Sequence, residues 1–95
     1  MDFVKDVESG KVQLLDVRSK LEWKLGHAKG ATHIPLDKLS SGYLGDLDQN
    51  RPVYVYCASG ARSGQAQAIL SNQGFNIQNI GGLSNWIQAG GPIEK

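Results

Sequence analysis

Residues 51–64 read RPVYVYCASGARSG, and this stretch restricts the fold more than any other. Val53 to Tyr56 alternate β-branched and aromatic side chains, which is strand composition. The run ends on Cys57, the only cysteine in the chain, and passes at once into the small residues Ala58, Ser59, Gly60 and Ala61. Beyond them RSGQAQAILSNQG sets Ala66, Ile69 and Leu70 at i, i+3, i+4 with Gly74 as a C-terminal cap, which predicts an amphipathic helix starting near Arg62. Strand, short loop and helix in that order are the repeating unit of a parallel sheet with right-handed crossovers.

The flanking sequence supplies more of the same unit. MDFVKDVESGK puts Phe3, Val4 and Val7 on one helical face, with Asp2 as N-cap and Gly10 as the stop. VQLLDVR is a nearly continuous apolar run, suited to a strand buried on both faces, and it places Asp16 and Arg18 near its C-terminal end. In SKLEWKLG, Ser19 and Glu22 have capping-box spacing and Gly26 ends a second short helix. Thr32 to Ile34 form an extended piece between Gly30 and Pro35, and PLDKLSSGYLGDL reads as broken helix and loop. FNIQNIGG is a further strand, and Ser84 is placed to cap a last helix with Trp86 and Ile87 facing inward. The expectation is one α/β domain over residues 1–95, a central, mainly parallel β-sheet with helices on both faces in three layers. Such sheets bind ligands at the C-terminal edge of their strands, where Cys57 sits.

Composition narrows the function. A chain of 95 residues with 40% hydrophobic content can bury a core without disulfides, and one cysteine cannot form an internal one. A reducing cytoplasm is therefore expected. Charges interrupt the N-terminal segment every few residues, which leaves no apolar h-region and no membrane span. A formal net charge of +1 without any run of lysine or arginine gives no footprint for nucleic acid or an anionic membrane. Two histidines and one cysteine at unrelated spacings predict no metal site, and no phosphate-binding glycine motif implies a nucleotide cofactor.

A thiol attacks as the thiolate, whose formation is eased by a helix N-terminus or a nearby cation. The loop offers both: small residues let backbone amides curl around the sulfur, and Arg62 is the fixed cation at the mouth, able to attract an anionic donor. Ser59 and Ser63 add hydroxyl donors. A ring of this kind suits an anion on the cysteine sulfur or on an atom bonded to it, a persulfide being one such species. Asp16 and Arg18 read as structural, Asp16 accepting loop N–H groups and Arg18 pairing with Glu22. His27 reads as a packing or hydrogen-bonding residue rather than a general base, Trp23 and Trp86 as packing residues, and Gly81 and Gly82 as a sharp turn beside the loop.

LLDVR, Glu22 followed by Trp23, GHAKGATHIP, VYVYCASGARS and IGGLSNWIQAGGPI together resemble the rhodanese family of sulfurtransferases, in order and in spacing. Ala28 and His33 depart from the family's G-H-I-x-G-A-x-N-I-P, and neither lies in the cysteine loop. The resemblance implies a rhodanese fold in which Cys57 takes sulfane sulfur from a small anionic donor such as thiosulfate, becomes a persulfide, and passes the sulfur to cyanide or a thiol. It implies that the amides of residues 58–63 hold the terminal sulfur and that Arg62 influences donor preference. A persulfide-donating protein is a further candidate partner, and no cofactor is implied. Two alternatives remain: a non-catalytic docking or regulatory module, against which the intact Cys57 and its all-small loop argue, and a phosphatase or arsenate-reductase-like relative. That phosphatase-like branch sets five residues between cysteine and arginine, whereas four, Ala58 to Ala61, intervene here.

Overall fold

The computed structural model describes residues 2–95. In chain order its elements are α1 (Phe3–Glu8), β1 (Gln13–Asp16), α2 (Lys20–Leu25), β2 (His27–Ala28), β3 (Thr32–His33), α3 (Leu36–Ser40), β4 (Val53–Cys57), α4 (Ala61–Asn72), β5 (Ile77–Gly82), α5 (Leu83–Gln88) and β6 (Ile93–Glu94). Four of the strands form one parallel sheet in the order β3-β1-β4-β5. β2 and β6 make a separate antiparallel pair that the sequence pattern did not predict.

Strand alternation divides the core into two halves. Leu15, Val53, Val55 and Cys57 face α3 and α4, where Leu39, Ala66 and Leu70 close over them. Leu14, Tyr54, Tyr56 and Ile80 face the other way, against Trp86 of α5 and the Phe3, Val4 and Val7 face of α1. This is the expected three-layer α/β arrangement. Each fully buried aliphatic side chain contributes roughly 1.5–3 kcal/mol of transfer free energy, so the central strands anchor the fold.

The helix ends follow the sequence closely. Asp2 caps α1 by accepting the Lys5 amide, and Ser19 and Glu22 complete the capping box of α2. Gly74, at φ +91°, receives the chain just beyond α4. Two expectations fail. Gly82, not Ser84, occupies the N-cap of α5, because β5 runs into that helix without a connecting loop and leaves Ser84 inside its first turn. Ile87 is 51% exposed, since a six-residue helix turns only one face inward and Trp86 takes it. No helix among the described residues is long and apolar enough to cross a membrane.

Candidate active site

Cys57 ends β4 at the C-terminal edge of the sheet, with its side chain only 1% exposed. The next residues turn back over it, and Gly60 makes the reversal at φ +105°, the left-handed region that glycine enters without a Cβ penalty. That turn brings the Gly60 N–H to 3.0 Å from Sγ and starts α4 at Ala61, so the helix N-terminus faces the sulfur. The Ser63 hydroxyl stands 3.4 Å from Sγ. Burial alone pushes the thiol up. The Ser63 hydroxyl and the amides of Ser63, Ser59 and Gly60 outweigh it and bring the pKa down to about 7.

A residue on the neighbouring strand holds this loop in shape. Asn79 donates from Nδ2 to the Gly60 carbonyl at 3.0 Å, while its Oδ1 accepts the Ser63 hydroxyl at 2.7 Å and the Gly81 amide at 2.9 Å. Fixing the Gly60 carbonyl fixes the Gly60–Ala61 peptide plane that opens α4, one φ/ψ pair away from the Ser59–Gly60 plane whose N–H points to sulfur. An irregularity in the β4–β5 pairing, where Val55 faces Asn79 but Tyr56 faces Gly81, makes the reach possible. Gly82 completes the packing: any Cβ there would collide with the carbonyl oxygen of Ala58.

The two arginines of this edge are each engaged. Arg62 places Nη1 at 2.6 Å and Nη2 at 2.8 Å from the two carboxylate oxygens of Glu22, a bidentate pair between α4 and α2. The arginine bonds, with help from the Ser19 cap and against partial burial, hold the Glu22 carboxyl down at about 2. Arg18 forks onto the fully buried Asp16, with Nη2 at 2.8 Å from Oδ2, and also donates to the Gly26 carbonyl at 2.7 Å. The Tyr56 hydroxyl donates to Asp16 at 2.6 Å and accepts the Ala28 amide at 3.0 Å. Burial first, and then the bond to Asp16, push the Tyr56 phenol well above its ordinary value, so it stays protonated as that donor.

Residues 2–89 match the rhodanese-like domain family. The chain belongs to that family. It is 38% identical over 73 residues to the thiosulfate sulfurtransferase PspE of Escherichia coli, a match covering 75% of this chain and 70% of that protein. It is 38% identical over 84 residues to the probable adenylyltransferase/sulfurtransferase MoeZ of Mycobacterium tuberculosis, covering 84% of this chain but 21% of MoeZ. The chain thus spans about a fifth of that longer relative. A crystal structure of a rhodanese-related protein from Thermoplasma volcanium superposes with a TM-score of 0.81 at 31% identity, over 95% of this chain and 88% of the other. Membership and these sulfurtransferase-named relatives support a sulfurtransferase kind of activity.

Within this rhodanese-like chain the residues singled out from sequence gather on one edge, with changes of partner. Cys57, Ser59, Gly60 and Ser63 form the ring, while Ala58 and Ala61 are exposed small residues on its outer side. Arg18 does not pair with Glu22 as expected: it lies two residues past Asp16, the last residue of β1, and bonds there, leaving Glu22 to Arg62. Asp16 accepts one nearby backbone N–H, that of Arg18 at 2.8 Å, rather than amides of the cysteine loop. Arg62 accordingly lies beside the loop with its guanidinium matched to Glu22. His27 is buried, bonded through Nδ1 to the Trp23 carbonyl at 2.8 Å and stacked on the Trp23 ring at 3.4 Å between centroids. Asn79 was missed, because a polar residue in an alternating strand reads as solvent-facing.

Proposed function

We propose that the chain is a sulfurtransferase working through a persulfide on Cys57, with thiosulfate or another sulfane-sulfur donor as first substrate. The Cys57 thiolate attacks the outer sulfur of thiosulfate; a new S–S bond forms, the S–S bond of thiosulfate breaks, and sulfite leaves with the electron pair. Cys57 is left as Cys–S–S⁻. Cyanide or a thiolate then attacks the terminal sulfur, departing as thiocyanate or a persulfide and restoring the thiolate. Negative charge persists near Sγ throughout, and fixed N–H dipoles stabilise it without rearranging between steps.

The observation that carries this reading is the ring of donors on a sulfur whose pKa is about 7. A thiol kept for packing has no use for those amides. The four-residue gap between Cys57 and Arg62 makes a tight ring, better matched to a sulfur atom than to a tetrahedral oxyanion. A reduced cytoplasm suits the chemistry because it keeps the thiol free. A persulfide-bearing protein is an equally suitable donor, since the chemistry needs only a sulfane sulfur within reach.

Mass spectrometry tests the proposal. Thiosulfate should add one sulfur, about 32 Da, to the intact protein. Cyanide should remove it, and Cys57→Ser should prevent it. Failure of every sulfane donor tried to leave an adduct would favour the non-catalytic docking module.

A further inference from the structure

We propose that the lysine-rimmed cleft between α2 and α3 anchors the carboxylates of a peptide-sized organic thiol whose sulfur meets Cys57. The inference rests on the sulfur-transfer reading above and names the class of its second substrate. The cleft has a volume of about 710 Å³ and is lined by Lys20, Trp23 and Lys24 of α2, His33 of β3, and Asp37 and Lys38 of α3.

Charge distinguishes this cleft from the cysteine loop. Arg18 and Arg62 are matched by Asp16 and Glu22, whereas Lys20, Lys24 and Lys38 take part in no ion pair among the described residues. With Asp37 the only carboxylate in the lining, the cleft carries the unmatched positive charge of this edge. A carboxylate-bearing ligand is its electrostatic complement.

Position supplies the second argument. Parallel pairing aligns His33 with Asp16 and Asp16 with Tyr56, the residue before Cys57. The His33 wall therefore stands two strand spacings, about 10 Å, from the strand that ends in the nucleophile. An inorganic donor the size of thiosulfate cannot bridge that gap. A chain advancing about 3.5 Å per residue spans it in two or three residues, which sets the size of the co-substrate. Trp23, half-buried and stacked against His27 and His33, gives the body of such a molecule a rigid wall.

Binding can be read without turnover, using S-methylglutathione, a carboxylate-bearing tripeptide that cannot accept sulfur. Trp86 is fully buried, so quenching of indole emission reports Trp23. The titration should saturate, weaken with added salt, and lose about tenfold in affinity in the K20A/K24A/K38A variant. On the sulfur-loaded protein, the rate of transfer to glutathione relative to cyanide should fall about tenfold in the same variant. No quenching, equal affinity of the variant, or an unchanged glutathione-to-cyanide ratio would each overturn the proposal. A protein that takes up no sulfur on Cys57 would instead defeat the sulfur-transfer reading, and the titration would still decide the cleft.

Discussion

Replacing Ser63 by alanine should move the titration of Cys57 up by about one pKa unit, a step worth about 1.4 kcal/mol. The native thiol sits at about 7 although burial opposes ionisation, and the Ser63 hydroxyl is the largest of the donors that reverse that opposition. A hydrogen bond to a charged group is worth roughly 1.5–3 kcal/mol. The lower end applies here, because the hydroxyl stands 3.4 Å from sulfur and shares its proton with Asn79 at 2.7 Å. The variant should therefore titrate near 8, and at pH 6.5 its thiolate fraction should fall from about a quarter to about 3%, roughly eightfold. Asn79 keeps its bonds to Gly60 and Gly81 in this variant, so the loop should retain its shape. Iodoacetamide alkylation followed from pH 5 to 10 reads the midpoint, and the single cysteine makes the signal unambiguous. Access to a side chain 1% exposed limits the plateau rate, not the midpoint. A native midpoint above 8 would refute the donor ring; an unmoved midpoint in the variant would assign the whole effect to the amides.

Three further outcomes are expected. The folded thiol is more acidic than an unfolded one, so the unfolded chain binds more protons between pH 7 and 9; stability should rise by about 2 kcal/mol across that window and be lost again as pH falls through 7, an increment that urea denaturation should find missing in Cys57→Ala. Glu22→Gln keeps the capping box but releases Arg62, and the KM for thiosulfate should fall about three- to fivefold; an unchanged KM would show that Arg62 has no part in receiving the donor. Gly82→Ala should cost about 1–3 kcal/mol, because the new methyl meets the Ala58 carbonyl rather than a yielding side chain, and should slow sulfur loading; a wild-type melting temperature would contradict that packing.

The parts of the fold legible in the sequence are those whose period is long enough to be sampled. The five-residue β4 and twelve-residue α4 announce themselves by alternation and by i, i+3, i+4 spacing. β2 and β6, of two residues each, have no period to read, and their pairing joins positions more than sixty residues apart. The Ser84 error has a different origin: residue type favoured serine as cap, but the approach of the Ala58 carbonyl excludes any side chain at Gly82, which takes the cap position itself. The expected Arg18–Glu22 pair gives way to a nearer carboxylate. Arg18, two residues past the end of β1, bonds Asp16 at that strand's last position, while Glu22 finds its partner forty residues away. At the site, Cys57 and its small neighbours were visible because the loop is local, whereas Asn79 acts on it from another strand and leaves no local trace.

The division of charge on this edge bears on how reactive the sulfur is. A thiol attacks best when its pKa lies near ambient pH, because a lower value yields more thiolate but a weaker nucleophile. Neutral amides and one hydroxyl bring Cys57 to about 7, close to that optimum. An unpaired guanidinium beside the sulfur would carry it further down, and Arg62 is near enough for the thiolate to favour its charge. The bidentate bond to Glu22, whose carboxyl is held at about 2, keeps that charge occupied throughout the neutral range. Neutral donors thus set the acidity of the Cys57 thiol, while the carboxylate on α2 limits how far the arginine adds to it; the Glu22→Gln variant should accordingly also show a Cys57 midpoint below the native one.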